Sequence, residues 1–311
     1  MAKQRTQFIC QQCGATSSKW AGRCDNCGAW NSFVEQVTET GGSSVVAKSS
    51  RAGKELAAQK LGTAVSEEIS VPRLKTEIDD LDAVLGGGFL AGGIVLLAGQ
   101  PGIGKSTLLT QITATIGAKS EVLYVSGEES IQQIKLRAER LGAASSDKLQ
   151  LASSNSAEDI AASIRTGKYD LVVVDSVQTL SLAEISSAPG SVSQITNASN
   201  VIIRAAKATD TAVILVGHVT KEGSIAGPKV LEHLVDVVLN FEGDRYGGFR
   251  VVRAQKNRYG STSEAAIFEM SDKGLKIVDN PSASLLAERQ NLDGSIVMAT
   301  LEGARPLLVE I

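Results

Sequence analysis

The chain has 311 residues, 43% of them hydrophobic and 21% charged, and a formal net charge of −3. It is about twice the usual single-domain length, which predicts one large domain with an appendage and a real apolar core. No apolar leader opens the chain, no run approaches the roughly 20 apolar residues of a membrane span, and the near-neutral charge restricts any nucleic-acid contact to a local patch; this excludes a membrane protein, a secreted disulfide scaffold and a disordered chain, and predicts a cytoplasmic protein.

The first element is a cysteine module over residues 1–34. Cys10 and Cys13 form one C-x2-C pair, Cys24 and Cys27 a second, and Gly14 and Gly28 directly follow each pair. A two-residue gap lets both sulfurs of a pair face one ion, and the glycine permits the tight turn that brings amides to the thiolates. Four thiolates close a tetrahedral Zn²⁺ shell with no open position, so the site reads as structural. A pair of disulfides is the competing reading, and the missing export signal favours zinc. Phe8, Trp20 and Trp30 read as the small core of this module, with stacking on bases as the sharper alternative. Lys3, Arg5, Lys19 and Arg23 against Asp25 give too little charge to assign it DNA binding.

Residues 35–68, rich in Ser, Thr, Gly, Ala and Lys, read as a flexible linker. From residue 69 to about 280, short apolar runs alternate with helical segments, the pattern of an α/β core with a mainly parallel sheet. Ile78, Leu81, Val84 and Leu85 fall at helical spacing and stop at Gly86-Gly87-Gly88; Ile94 to Ala98 is a buried strand.

Gly99-Gln100-Pro101-Gly102-Ile103-Gly104-Lys105-Ser106 then matches G-x4-G-K-[ST] in full, between that strand and a helix that begins through Thr107, Leu108 and Leu109. The glycines let backbone amides wrap the phosphates of ATP or ADP, Lys105 reaches the β and γ oxygens, Ser106 ligates Mg²⁺, and the helix directs its positive end at the anion. Two more strands supply partners. Glu121 to Ser126 runs into Gly127-Glu128-Glu129-Ser130, and is expected beside the loop strand; Leu171 to Val174 ends at Asp175. Asp175 is the candidate second magnesium residue. One of Glu128 and Glu129 polarises the attacking water, and Glu128 is favoured; the other reads as a cap of the helix from Ser130 to Leu141. A strand over Val213 to Gly217 carries His218 at its tip, a sensor of the γ-phosphate or a plain strand cap; His233 reads as surface or packing. Lys256 and Arg258 follow a strand over Phe249 to Ala254, in what reads as an exposed basic turn able to reach a neighbouring subunit's nucleotide or DNA.

These residues resemble the bacterial RadA (Sms) family. The motifs that carry the likeness are the four cysteines, the phosphate loop, Gly127-Glu128-Glu129-Ser130, Asp175-Ser176-Val177-Gln178, Gly217-His218-Val219-Thr220-Lys221, Gly227-Pro228-Lys229 and Lys256-Asn257-Arg258-Tyr259-Gly260, the last with Tyr where the family has Phe. The resemblance implies a RecA-like ATPase core in a hexameric ring, a DNA-dependent ATPase that branch-migrates recombination intermediates in DNA repair. It further implies contacts with single-stranded and branched DNA, a RecA-type recombinase and a replicative helicase. The loops 182–194, Ser-rich and flexible in composition, and 220–227 would contact DNA. An ATP-gated adaptor that hydrolyses little is the alternative reading. Family members continue into a domain similar in fold to the Lon protease; residues 281–311 hold only two strand-like runs, enough for a hairpin, so the chain reads as a fragment that stops where that domain starts.

Loss of one thiolate should abolish metal retention, so Cys24→Ser is expected to lower zinc stoichiometry well below one per chain while leaving nucleotide affinity within about threefold of the parent's; unchanged zinc content, read by atomic absorption, would contradict the four-ligand site.

Overall fold

A computed structural model describes residues 5–10, 16–25, 28, 30–38, 72–143, 146–218, 230–243, 248–287, 295–302 and 305–310. Cys13, Cys27, residues 39–68 of the linker and the loop 220–227 lie outside the described residues. The chain divides into two compact units, Met1–Pro72 and Arg73–Ile311.

In the first unit, strand β1 (Arg5–Cys10) pairs antiparallel with both β2 (Thr16–Ser17) and β3 (Phe33–Thr38). The third strand therefore continues past residue 34, so the module takes in residues read as the start of the linker. Cys10 and Cys24 are each 1% exposed, whereas Trp20 and Trp30 are 58% and 73% exposed. The expectation that these tryptophans form the module's core is corrected: the thiols occupy its centre, and the indoles stand outside. So small a ribbon has too little interior for two indoles and must organise itself about something other than apolar burial. The Arg23 guanidinium lies over the Trp30 ring, 5.8 Å from its centroid.

The second unit opens with a two-stranded ribbon, β4 (Arg73–Leu74) and β5 (Phe89–Leu90), which brackets helix α1 (Asp79–Leu85). Leu81, Val84 and Leu85 are its buried face, as their spacing requires. The Thr76 amide and hydroxyl both donate to Asp82 Oδ1, at 2.9 Å each, and set the turn that enters the helix. Gly86 ends the helix at φ 81°, its amide donating to the Ala83 carbonyl.

The chain then runs β6 (Ile94–Gly99), α2 (Lys105–Ile116), β7 (Val122–Ser126), α3 (Ile131–Arg140), β8 (Leu149–Ser153), α4 (Ala157–Arg165), β9 (Leu171–Asp175), α5 (Val192–Thr209) and β10 (Ala212–His218). A short helix α6 (Val230–Leu234) leads to β11 (Val237–Gly243), β12 (Phe249–Asn257), β13 (Ala265–Ser271) and β14 (Gly274–Ile277). Together the strands form one nine-stranded sheet in the order β14-β13-β12-β11-β6-β10-β9-β7-β8. Strands β6 to β11 pair in parallel, and β12 to β14 extend the sheet antiparallel. Every residue of β6, β7 and β9 is buried, the mark of parallel strands covered on both faces. Leu108, Leu109, Ile112 and Ile116 of α2 join Val95, Leu97 and Ile214 in the main core, each worth about 1.5–3 kcal/mol on burial.

The expected position of the Glu121–Ser126 strand is corrected: β10 and β9 lie between it and the loop strand. Strands that are apolar on both faces carry no local mark of which neighbour they take. The last elements are α7 (Pro281–Ala287) and the hairpin of β15 (Val297–Glu302) with β16 (Arg305–Glu310), where the Leu308 amide donates to Ser282 Oγ at 3.0 Å. Among the described residues, no helix is long and apolar enough to cross a membrane.

A Cβ built on Gly86 would lie 2.8 Å from the Tyr259 carbonyl oxygen, in a backbone conformation that L side chains rarely adopt. Gly86→Ala is therefore expected to destabilise the core by about 1–3 kcal/mol, seen as a lower midpoint in thermal or denaturant unfolding; an unchanged midpoint would refute this packing.

Candidate functional site

Because β6, β10, β9 and β7 run in parallel, their C-terminal ends meet at one edge of the sheet. Gly99 pairs with His218, and Ser126 with Asp175. The phosphate loop leaves β6 here. Gly104 takes φ 115° and caps α2, which starts at Lys105 and aims its amide end into the loop. Gln100, Pro101, Gly102 and Ile103 form the turn between strand and helix, the Ile103 amide donating to the Gln100 carbonyl at 3.3 Å. Thr107 follows, half-buried, in the first turn of α2.

Lys105 is buried, and its Nζ donates to the Gly99 and Gln100 carbonyls at 2.8 and 2.9 Å and to His218 Nδ1 at 3.2 Å. Burial lowers its ammonium to about 8, although Asp175 and Glu128 pull the other way. Ser106 Oγ donates to Asp175 Oδ2 at 2.7 Å, and Tyr124 OH donates to the same oxygen at 2.6 Å. Burial and the adjacent Asp175 charge push the Tyr124 hydroxyl well above its ordinary range, so it stays a donor.

The two adjacent glutamates have different surroundings. Glu128 Oε1 receives a short hydrogen bond from Ser176 Oγ and lies 3.2 Å from His218 Nε2. An ammonium only donates and a carboxylate only accepts, so these partners assign the His218 proton to Nε2. Partial burial raises the Glu128 carboxyl, but the hydrogen bonds from Ser176 and His218 and the nearby Lys105 charge outweigh it, and the group sits below its ordinary range. Glu129 faces away from this group: Arg137 Nη1 meets its two oxygens at 2.7 and 2.5 Å. The reading of the second glutamate as a helix cap is corrected, since Ser130 is the N-cap and forms a capping box with Gln133. Tyr124 and Arg137 were not singled out in the sequence, and Ser176 only as part of the motif Asp175-Ser176-Val177-Gln178. For Tyr124 a signal was present, a phenol hydroxyl in the middle of the apolar strand Val122–Ser126.

The residues fit a magnesium-bound nucleotide. A glycine-shaped turn, a helix N-terminus and a buried lysine surround the loop, and Ser106 and Asp175 bring two hard oxygen donors within 2.7 Å of each other. The described half of the cysteine module fits a metal as well. Cys10 and Cys24 are buried at its centre, and Gly28, at φ 75°, donates its amide to the Cys24 carbonyl at 2.8 Å to close the second turn.

The Lys256–Gly260 motif stands elsewhere. β12 extends through Asn257, so Lys256 is a strand residue and not part of an exposed turn, which corrects the earlier boundary. Its Nζ donates to the Glu232 and Val235 carbonyls at 2.6 and 2.7 Å, satisfying the end of α6. Arg258 is largely exposed and pairs with Asp236 at 3.1 Å; buried Asp236 also receives Lys207 Nζ at 2.6 Å and the Ile94 amide at 3.0 Å. Val237 pairs with Val95 and with Asn257, which puts the motif at the start of β6. The phosphate loop is at the other end of that strand, roughly 17–20 Å away. Nor is the loop 182–194 loose, as its composition suggested: Gln194, on α5, donates to the Ile185 and Ser187 carbonyls at 2.9 Å each and accepts from the Leu182 amide at 2.9 Å.

A family model described as an AAA domain matches residues 63–224, and one described as a rubredoxin metal binding domain matches residues 8–35. Proteins named DNA repair protein RadA from Brucella abortus, Halalkalibacterium halodurans and Bacillus subtilis are 49%, 49% and 48% identical over 100% of this chain, which spans 68% of each of them. The crystal structure of the RadB recombinase is similar with a TM-score of 0.50 at 23% identity, over 66% of this chain and 100% of that one. The fold is thus a RecA-like P-loop core with a mainly parallel sheet, joined to an N-terminal metal-ribbon domain.

Removing the Lys105 ammonium takes away the one buried cation of the loop. Lys105→Ala is expected to lower ATP turnover by about 100-fold or more; a rate near the parent's in a coupled ATPase assay would refute the site.

Proposed function

This chain belongs to the RadA family of DNA repair proteins, and from that premise we propose that it is a DNA-stimulated ATP hydrolase acting on single-stranded and branched DNA in repair and recombination. Residues 99–107 bind the triphosphate, with Lys105 on its β and γ oxygens. Magnesium held by Ser106 and Asp175 supplies charge neutralisation of those oxygens when bound. Glu128 stays ionised throughout the physiological range and so accepts a hydrogen bond from the attacking water, orienting and polarising it. His218 joins Glu128 to Lys105 and is followed directly by the segment 219–229, so a change at the γ-phosphate is passed to the loop 220–227. Together with the loop 182–194, that segment forms the DNA contact. Cys10, Cys13, Cys24 and Cys27 hold a structural zinc ion in a module separate from the ATPase core, with residues between them as linker.

The distance of Arg258 from its own phosphate loop supports a cross-subunit role in a ring of six copies, where it faces the nucleotide or DNA of the next subunit. Lys256 supports that role by fixing the end of α6. The observation that carries the reading is the contact series Lys105–His218–Glu128–Ser176 at the phosphate-loop edge of the sheet. A nucleotide-binding switch has no need of a carboxylate held there.

Glu128→Gln is expected to retain ATP binding and lose about 100-fold in turnover, while Glu129→Gln stays within about tenfold of the parent. Single-stranded DNA should raise the parent's turnover severalfold. A parental rate for Glu128→Gln, or a parental enzyme indifferent to DNA, would overturn the reading.

A further inference from the structure

We propose that Arg137 is a positioning residue for ATP hydrolysis: it ties the loop 127–130 to the helix that carries Ser106, and thereby sets where the Glu128 carboxylate stands. The proposal rests on the reading of Glu128 as the group that orients the attacking water.

Arg137 belongs to α3, yet its side chain is only 11% exposed. The guanidinium holds two elements at once. Nη1 meets both oxygens of Glu129, and Nε donates to Thr110 Oγ1 at 3.0 Å. Thr110 is itself buried on α2, one turn beyond Ser106, and its hydroxyl donates to the Ser106 carbonyl at 2.7 Å. Donor and acceptor roles are consistent along this path, since the threonine oxygen accepts from the arginine while its proton goes to the carbonyl.

Glu129 is in turn coupled to Glu128 through the backbone. Both amides donate to the Ser126 hydroxyl, at 2.9 and 3.2 Å, so the two residues share one turn around one side chain. The Gly127 amide donates to the Asp175 carbonyl at 2.8 Å, which fixes the start of that turn. Its other end has Glu129 as its side-chain tether. Without the guanidinium, this turn loses its side-chain tie to α2, and the Glu128 carboxylate shifts from its place beside Ser176 and His218.

The planar guanidinium spans Glu129 and Thr110, a separation that a lysine's single ammonium cannot bridge in the same way.

The test is a double-mutant cycle on the full chain, with ATP turnover measured in the presence of single-stranded DNA, alongside thermal unfolding. Arg137→Met is expected to lower kcat at least tenfold with KM for ATP within about threefold of the parent, and Arg137→Lys to restore little of it. In a Glu128→Gln background the same substitution should cost less than twofold further. A parental kcat for Arg137→Met, an equal loss in both backgrounds, or a loss carried wholly by KM would each overturn this proposal while leaving Glu128 as the base. A parental rate for Glu128→Gln alone would overturn the reading beneath it. Should Arg137→Met fail to fold, Glu129→Gln keeps the shape and one acceptor oxygen: a threefold to tenfold loss of kcat supports the proposal, and an unchanged kcat overturns it.

Discussion

The Asp175 carboxylate stands 4% exposed at the tip of β9 and receives hydroxyl protons on one oxygen from Ser106 of α2 and from Tyr124 of β7. A buried carboxylate must be paired or hydrogen-bonded, and two donors meet that requirement. The same two bonds set the spacing between the phosphate loop and the strands on its far side. Glu128 depends on this spacing, because the turn that carries it starts with the Gly127 amide on the Asp175 carbonyl. Nucleotide loop, metal donors and base candidate thus refer to a single residue. Burial of the surrounding strands on both faces keeps that residue from relaxing into water.

The sheet separates two kinds of chemistry by the length of one strand. At the C-terminal edge lie the groups suited to a triphosphate. At the opposite edge, Asp236 gathers Lys207, Arg258 and the Ile94 amide. Burial raises the Asp236 carboxyl, but the hydrogen bonds from Lys207, the Ile94 amide and Tyr259 and the nearby Lys207 charge outweigh it and hold the group below its ordinary range. The Gly86 turn packs on the backbone of Tyr259 and Gly260, and Asn257 donates to the Val84 carbonyl at 3.0 Å. Two motifs that lie 173 residues apart in the chain are therefore one structural joint. Its exposed part is Arg258, at the end of β6 opposite the phosphate loop.

The metal ribbon follows a different rule from the core. Its centre is thiol and its two indoles are outside, with Arg23 over Trp30. In a module of this size coordination replaces apolar burial as the organising interaction, which leaves large apolar side chains available at the surface.

Much of this was determined by sequence alone, because the signals are local. The glycine-lysine-serine spacing of residues 99–106, the paired cysteines, the apolar runs ending in Asp175 and His218, and the glycine stop at Gly86 each follow from backbone geometry within a few residues. What only the tertiary structure decided depends on neighbours distant in the chain. Strand order could not be read, since β6, β7, β9 and β10 are all buried on both faces along most of their length. The roles of Glu128 and Glu129 separated only once Ser176, His218 and Arg137 were in place around them. Lys256 was read as exposed because its partners are carbonyls, which leave no trace in side-chain pattern. Trp20 and Trp30 were misplaced because hydrophobicity fixes what a residue prefers, and the space a small metal-centred fold leaves inside decides whether that preference is met.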